Sequence, residues 1–360
     1  MWRTVMQSTL GSCVILGAAL LIANPATAAP VVRADGTQLK LGTRRFHVYG
    51  FNYDFNNVHP NLDYFEAPTR AGRLRVRADF AEAARLGANT MRVYVELHEV
   101  MATATRTRAR GLRTLRNLLD EAERAGLLLD ITGNLVWHIG HSPRWYEQLS
   151  EHGRWRVQER FWRAVARVGA RSPNVLCYEL TSEPAIGDSD YWYTGLLVHH
   201  YVQYIARTVQ GREPVVVVRN WTRRLRDAIL SEDRRHMVTI GLLPTRGWAF
   251  DPRYVADLLD LVTVHDYPAA GTQDEARSLV RYFASQGKPL LLGETFAVDR
   301  VTQEAFLVSS RRWLDGTLSF YDGRAPEDVP ARPSLVDAMY LQNLVSYLGL
   351  RTTLRASDLR

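Results

Sequence analysis

The sequence predicts a single domain of the α/β class, a closed (β/α)8 or TIM barrel of parallel strands. Three observations predict it. Eight short apolar segments alternate with helical patterns, several helical patterns stop at a glycine, and the next apolar segment soon follows that glycine. The chain has 360 residues, which suits one such domain, because about 250 residues are typical and insertions are common. No glycine-rich phosphate turn follows the first strand and no low-complexity linker divides the chain, so neither a doubly wound sheet nor a second domain is indicated.

The predicted strands are short and mostly apolar, as expected for parallel strands that are covered on both faces. In chain order they are Arg45–Gly50, Ala88–Val95, Leu127–Thr132, Asn174–Glu183, Met237–Leu242, Leu261–His265, Pro289–Phe296 and Gly316–Tyr321. The valine run at 215–218 is compatible with an extra edge strand. We prefer Met237–Leu242 as strand five, because this choice keeps the alternation of strands and helices.

The predicted helices fill the intervals between these strands. They are Val76–Leu86, Leu112–Ala125, Arg154–Ala170, Tyr191–Val209, Thr222–Leu230, Asp274–Gln286, Gln303–Leu314 and a closing helix Leu335–Leu348. Gly87, Gly126 and Gly287 each follow one of these patterns, in the position where a helix commonly ends.

Residues 1–28 have the pattern of an export signal. Arg3 precedes an apolar core from Cys13 to Ala23, and the small residues Ala26-Thr27-Ala28 form a cleavage site. The core is too short to span a bilayer comfortably, although a retained membrane anchor is the alternative. We therefore expect a secreted protein, extracellular or periplasmic, whose mature domain is 29–360 and has no stable membrane span.

The charge pattern argues against a nucleic-acid partner. Removing Arg3 lowers the formal net charge from +7 to +6, and the excess is nearly all arginine scattered along the chain. No basic stripe with interleaved aromatic residues is present, so a solvated surface explains the charge. Cys177 is the only cysteine after residue 28, which excludes an intramolecular disulfide and fits a small buried hydrophobic residue. We expect a monomer.

Two glutamates end two of the predicted strands. Glu183 ends strand four, because Pro184 cannot donate to a strand ladder and disfavours helix at Glu183, and Glu294 ends strand seven. A closed parallel barrel brings its carboxyl strand ends together over one cavity. Two carboxylates in such a place can cleave a glycosidic bond, and a structural ion pair is the alternative.

Five short motifs carry a resemblance to a known family. They are Glu-Leu-x-x-Glu-Pro at 179–184, His265-x-Tyr267, Gly293-Glu294, Asn89-Thr90-x-Arg92 and Asn52-Tyr53. Their order and spacing across eight strands resemble glycoside hydrolase family 5, secreted clan A enzymes that retain configuration and include cellulases and mannanases. The resemblance covers essentially the whole chain after residue 28. It implies that Glu183 is the acid/base and Glu294 the nucleophile, with the carboxyl groups about 5 to 5.5 Å apart.

Several further residues are expected around this pair. Arg92 and Tyr267, if they point inward, would hydrogen-bond Glu294 and keep it ionised, and its charge would help to keep Glu183 protonated. His265 would line the cleft and bind substrate or a carboxylate, unless it is a satisfied core histidine. Asn52 and Tyr53 would lie at the cavity floor or cap strand one.

Aromatic and histidine residues follow strand three. Trp137 is expected to stack on a sugar, together with Trp145 and Tyr146, although aromatic residues in such loops are often only packing. His138 and His141 have a spacing seen in metal sites, but no third ligand is evident. We therefore expect no metal and no organic cofactor.

Two positions depart from the family pattern. Ser182 stands where the family usually has an asparagine that binds the sugar 2-hydroxyl, and serine is shorter. The family also usually has a tryptophan at the end of strand eight, whereas this chain has the run 320–323. Either Tyr321 replaces it as a platform, or the subsite has a different shape.

The resemblance implies hydrolysis of a β-glycosidic bond in a β-1,4-linked polysaccharide or oligosaccharide. Mannan is favoured slightly over glucan, because the loop with Trp137 and the run 221–241 look like those of mannanases. One alternative is a carbohydrate-binding barrel without activity, for which Ser182 and the missing tryptophan would be marks of decay. The other is a transglycosylase that uses the same covalent intermediate.

Overall fold

The computed structural model describes residues 30–53, 70–134, 142–187, 193–194, 202–296, 299–328 and 334–355. Within these ranges, eight parallel strands close into a barrel, in which each strand pairs with the next along the chain and the last pairs with the first. Helices flank the barrel, so the predicted (β/α)8 class is confirmed.

We number the barrel strands β1 to β8 and the main helices α1 to α8 in chain order. The strands are β1 Val48–Tyr53, β2 Thr90–Glu96, β3 Leu128–Asn134, β4 Val175–Ser182, β5 Met237–Leu242, β6 Val262–His265, β7 Leu290–Glu294 and β8 Gly316–Tyr321. The helices are α1 Arg70–Arg85, α2 Ala109–Ala125, α3 Glu151–Gly169, α4 Pro214–Leu230, α5 Pro252–Val255, α6 Gln273–Ala284, α7 Arg300–Ser310 and α8 Leu335–Gly349. Short helices also form at Leu97–Val100, Arg144–Glu147 and Arg351–Arg355.

All eight predicted strands are present, and Met237–Leu242 and Gly316–Tyr321 have the predicted ends. The valine run belongs to α4, which begins with Pro214 at its first turn. Val217, Val218, Trp221 and Leu225 are buried at helical spacing, so the valines extend the apolar face of this helix rather than form an edge strand.

The predicted helix Tyr191–Val209 is wrong in its described part. Tyr193–Thr194 and Val202–Ala206 are strands that pair with each other, and Val202–Ala206 also pairs with Ala185–Ile186, just after β4. Ile205 and Ala206 are buried, and the indole N–H of Trp155 on α3 donates to the Ile205 carbonyl at 2.8 Å. These long-range contacts override the local pattern.

An amino-terminal antiparallel sheet closes the bottom of the barrel. Its strands are Val32–Asp35, Gln38–Leu41 and Arg44–Arg45. Val32 and Leu39 pack in one buried cluster with Val48 and with residues of the opposite strands, including Cys177. Cys177 is thus a buried apolar residue, as predicted, and burial raises the pKa of its thiol.

A second and larger cluster fills the layer between the barrel and the helices, with Trp162 and Trp221 among its largest buried side chains. This layer covers the outer face of the strands, which leaves their carboxyl ends as the open end of the barrel. None of the described helices is long and apolar enough to cross a membrane. The predicted export signal at 1–28 lies outside the described residues.

Asp233, in the loop between α4 and β5, connects two elements of the barrel wall. It accepts hydrogen bonds from the Tyr178 hydroxyl at 2.7 Å and from the backbone N–H of Arg235 at 2.8 Å, and His236 Nδ1 lies 2.6 Å away. Burial alone would raise the pKa of Asp233, but the hydrogen bonds and charge of His236 and the Tyr178 hydroxyl lower it to about 2.

We predict that Asp233→Asn lowers the free energy of unfolding by about 2 to 4 kcal/mol at pH 7, because a buried hydrogen-bonded charge is lost. The folded-state pKa is depressed, so the contribution of Asp233 is complete above about pH 4 and is lost as the pH falls toward 2. Urea unfolding at several pH values measures both effects. Asp227→Asn, at an exposed position of α4, is the control and changes stability by less than about 0.5 kcal/mol. Equal stability of both variants at pH 7 would contradict this prediction.

Candidate active site

A cluster of polar side chains occupies the carboxyl ends of the barrel strands. It contains seven of the residues that the sequence predicted and two that it did not assign. The predicted members are Asn52, Arg92, Ser182, Glu183, His265, Tyr267 and Glu294, and the additional members are Tyr94 and Glu179.

Strand irregularities aim both glutamates into the cluster. Between β6 and β7 the register shifts by one residue, so Val264 pairs with Leu292 whereas His265 pairs with Glu294. Leu292 faces the outer cluster, and regular alternation would turn Glu294 to the same side. The extra residue is Gly293, and the bulge turns Glu294 toward the barrel axis. A similar shift between β4 and β5 precedes Glu183.

Glu183 has an unusual backbone. Its φ is +48°, and it is the only non-glycine residue with a positive φ in the part of the chain that the structure describes. Its N–H donates to the Gly241 carbonyl of β5 at 2.8 Å, which holds this conformation. A side chain at Gly241 would place a Cβ 2.8 Å from the His265 ring, so this glycine makes room for His265.

Arg92 of β2 is fully buried and connects the strands around it. One guanidinium nitrogen donates to Asn52 at 2.8 Å, to the Tyr94 hydroxyl and to Glu294 Oε1. The other donates to Glu179 Oε1 at 2.5 Å and to the Ser182 hydroxyl at 3.3 Å. The arginine thus forms ion pairs with two buried carboxylates, one on β4 and one on β7.

Asp130 of β3 adds a third buried acid near Arg92. Burial and the charge of Glu179 raise the pKa of Asp130 to about 8. Burial and Glu179 thus favour the uncharged form of Asp130, and Arg92 forms its ion pairs with Glu179 and Glu294.

Glu294 is held as an ion by its neighbours. Its Oε1 accepts from Arg92 and from the Tyr94 hydroxyl at 3.3 Å, and its Oε2 accepts from the Tyr267 hydroxyl. Burial alone would raise the pKa of Glu294, but the charges of His265 and Arg92 and these hydrogen bonds lower it to about 2. A carboxylate of this kind is ionised at neutral pH and fixed in orientation.

His265 lies between the two glutamates. Its Nδ1 is 2.9 Å from Glu183 Oε1 and 3.5 Å from Glu294 Oε1. Burial favours the neutral ring, but the charge of Glu294 and the hydrogen bond to Glu183 raise the pKa of His265. His265 is fully buried and bonds a carboxylate, one of the two roles predicted for it.

One ligand atom from each of Glu183, His265 and Glu294 lies within 4.8 Å of the others, a grouping that could hold a metal ion. Arg92 already supplies a positive charge to Glu294, and His265 Nδ1 already bonds Glu183. These contacts explain the grouping without a metal. The same bound of 4.8 Å places an oxygen of Glu183 close to an oxygen of Glu294.

Two predicted site residues do not face the cluster. Tyr53 is buried, and its hydroxyl donates to Asp79 on α1. Tyr321, its partner in the β8–β1 register, has no exposed surface and packs against Phe51. Both therefore lie on the outer face of the barrel, which corrects the expected role of Tyr53 as cavity floor and of Tyr321 as sugar platform.

Phe320 has the inward position on β8, opposite Asn52 of β1. Its ring stacks near Tyr267, with the ring centroids 6.5 Å apart, and Tyr267 is 42% exposed. These two rings form the exposed aromatic surface on this side of the site. Trp137, His138 and His141 lie outside the described residues, whereas Tyr146 is buried and accepts a hydrogen bond from Gln158, a packing position.

Tyr94 and Glu179 were not assigned a role from the sequence, although signals for both were present. Tyr94 is two residues after Arg92 on the same strand, so it faces the same side. Glu179 is four residues before Glu183, within the same buried strand, where a carboxylate needs a charged partner.

A close pair of buried glutamates at the ends of β4 and β7 of a (β/α)8 barrel is the arrangement of a glycosidase active site. The model of the cellulase family, glycosyl hydrolase family 5, matches residues 53–316. The chain belongs to glycosyl hydrolase family 5. None of the curated protein sequences matches it.

Solved structures of mannoside-related enzymes share the fold. A GH5_18 protein from Streptomyces cattleya, in complex with Manβ1-4GlcNAc, has a TM-score of 0.63 and 17% identity, over 85% of this chain and 80% of that one. The β-1,4-mannanase from the sea hare Aplysia kurodai has a TM-score of 0.63 and 13% identity, over 89% and 97%. The exo-β-1,4-mannosidase from Opitutaceae bacterium strain TAV5 has a TM-score of 0.63 and 16% identity, over 92% of this chain and 63% of that one.

We predict that Tyr267→Phe moves the acidic limb of the kcat/KM profile upward by about 1 to 2 pH units. The variant loses a hydroxyl that donates to ionised Glu294, so the pKa of Glu294 rises from about 2 and the carboxylate is protonated at higher pH. The measurement is kcat/KM between pH 2.5 and 8.

Tyr321→Phe is the matched control, because it removes a tyrosine hydroxyl from the outer face of the barrel and leaves the profile unchanged. An acidic limb at the same pH in Tyr267→Phe and in the wild type would show that Tyr267 does not stabilise the ionised form of Glu294.

Proposed function

We propose that this glycosidase hydrolyses a β-1,4-linked mannoside by double displacement with retention of configuration, with Glu294 as nucleophile and Glu183 as acid/base. The observation that carries the proposal is the close approach of Glu183 and Glu294, with ligand oxygens within 4.8 Å, while Glu294, and not Glu183, accepts hydrogen bonds from Arg92 and Tyr267. The paired acids are therefore in different environments, as the two roles require.

In the first step, an oxygen of Glu294 attacks the anomeric carbon and forms a covalent bond to it. The bond from that carbon to the leaving oxygen breaks, and Glu183 gives its proton to this oxygen. Arg92 and Tyr267 keep Glu294 ionised before attack and fix the direction of its oxygens. The leaving group departs as a neutral alcohol, and Glu183 is left ionised.

In the second step, Glu183 takes a proton from a water molecule, whose oxygen attacks the anomeric carbon on the face that the leaving group vacated. The bond to Glu294 breaks, and the carboxylate returns to its ion pair with Arg92. His265, 2.9 Å from Glu183, is fixed by burial and holds the acid/base in position during both steps.

Support for a mannoside is of two kinds. The strand-three loop and the run 221–241 resemble those of mannanases, and several solved structures with the same fold are named as β-mannanases or an exo-β-1,4-mannosidase. Ser182 presents its hydroxyl beside Arg92, 3.3 Å away, at the position where the family resemblance implies a contact with the sugar 2-hydroxyl.

We predict that Glu294→Ala abolishes turnover and that Glu183→Ala lowers kcat/KM on β-mannan by about 10² to 10⁴-fold. On aryl β-mannosides with acidic phenols as leaving groups, Glu183→Ala lowers the rate of the first step much less, since such leaving groups need little protonation. The assay measures sugar release from β-mannan, carboxymethyl cellulose, xylan, β-1,3-glucan and aryl β-glycosides.

Glu123→Ala, at an exposed glutamate of α2, is the control and keeps full activity. Nuclear magnetic resonance of the first product shows the β anomer if configuration is retained. Activity that survives in Glu294→Ala, or an α anomer as the first product, would contradict the proposed mechanism. Sugar release from another polysaccharide, with none from β-mannan, would change the proposed substrate and leave the proposed mechanism unchanged.

The proposal includes export, with residues 1–28 removed as a signal. We predict that a bacterial host expressing the full chain exports a protein whose mass corresponds to residues 29–360. Leu16→Arg places a charge in the apolar core and blocks export, whereas Gln7→Arg adds a charge before the core and does not. An exported protein that keeps residue 1 in the membrane fraction would instead indicate a retained anchor.

A further inference from the structure

A pocket of about 250 Å³ lies between the loops that follow β4 and β5, at the open end of the barrel. Apolar side chains form most of its lining, and Ile186, Leu243 and Phe250 are representative. Trp248 lies at its rim and is 59% exposed, an unusual exposure for so large an apolar side chain. Such a concave apolar site is typical of a small-molecule pocket.

The two walls of the pocket continue the backbone segments that hold Glu183. Pro184 directly follows Glu183 and lines the pocket. On the facing wall, Gly241 accepts the Glu183 N–H at 2.8 Å, and Leu243 lines the pocket two residues later. The pocket thus begins beside the backbone of the proposed acid, on the β5 side of β4. Strands β1 and β2, which carry Asn52 and Arg92, lie beyond β3 on the other side of β4.

The acid/base protonates the leaving oxygen, so the leaving group of the substrate lies on the Glu183 side of the scissile bond. The inference therefore rests on the proposed function, because the role of Glu183 defines which side this is. A group attached to the leaving oxygen therefore lies on the Glu183 side, where the pocket begins at Pro184, whereas the sugar that forms the covalent bond lies against Glu294.

The chemistry of the lining selects among leaving groups. Of the described residues that line the pocket, only Thr245 and Trp248 have side chains that can hydrogen-bond. A sugar ring enclosed there would bury several hydroxyl groups with few partners, and each unpaired group costs free energy. An alkyl or aryl group has no such requirement and gains from apolar burial.

We propose that this pocket binds an apolar aglycone, an alkyl or aryl group carried by the leaving oxygen of a β-mannoside, and that such mannosides are substrates in addition to the β-1,4-linked ones. Hydrolysis of such a substrate breaks the bond between the anomeric carbon and the leaving oxygen. The proton of Glu183 goes to that oxygen, and water supplies the hydroxyl of the sugar product. The second product is an apolar alcohol or a phenol, released from the pocket.

The test uses ethyl, butyl and hexyl β-mannosides with the mature protein. Each methylene that enters the pocket raises kcat/KM by about three- to fourfold. The dependence on chain length is reduced in Trp248→Ala, which removes the rim, and lost in Ala249→Phe, which fills the pocket. Val216→Ala, at another exposed apolar residue that does not line the pocket, is the control and keeps the wild-type dependence.

Other outcomes would overturn the inference. Turnover without chain-length dependence in the wild type would leave the proposed function intact and exclude apolar binding here. If kcat/KM in Ala249→Phe still depends on the length of the alkyl group, the alkyl group binds outside this pocket. A kcat/KM that rises instead with the number of mannose units on the leaving side, and falls in Trp248→Ala, would make the pocket a sugar subsite.

If no glycoside is turned over, the proposed function fails and calorimetry decides the inference separately. Tighter binding of hexyl than of ethyl β-mannoside, lost in Ala249→Phe, would support an apolar site. Equal binding of the two would exclude it.

Discussion

The buried guanidinium of Arg92 is the interaction on which the arrangement of the site depends. It is fully removed from water, and it bonds residues of β1, β4 and β7. A buried cation is stable only with buried anions, and Arg92 forms its ion pairs with Glu179 and Glu294. The converse also holds, because loss of either carboxylate would leave the arginine charge less compensated. The charge of Glu294 is therefore part of the balance that stabilises the barrel interior.

This ionic network does not by itself bring Glu183 close to Glu294. Bulges in the strand register and two glycines do so, since Gly293 lets Glu294 turn inward and Gly241 leaves space for the His265 ring. His265 then bridges the distance between Glu183 and Glu294. The different surroundings of Glu183 and Glu294 thus depend on backbone irregularities as much as on the neighbouring side chains.

Much of this arrangement could be predicted from the sequence, because strand alternation and chain order carry the barrel and place Glu183 and Glu294 at strand ends. The errors have physical reasons. Tyr53 and Tyr321 follow inward residues on regular strands, so alternation turns both side chains outward. The inward turn of Glu294 depends on a bulge, for which Gly293 is only a weak indication. The segment 202–206 pairs with Ala185–Ile186, a contact that no local pattern predicts.

The left-handed backbone of Glu183 lowers the stability of the barrel. A glutamate at φ +48° holds a conformation that costs about 1 to 3 kcal/mol for most residues, and glycine or asparagine would relieve it. The chain therefore gives up stability at this position to present a carboxylate. Glycine or asparagine at position 183 would therefore make the barrel more stable and would remove the carboxylate that His265 contacts.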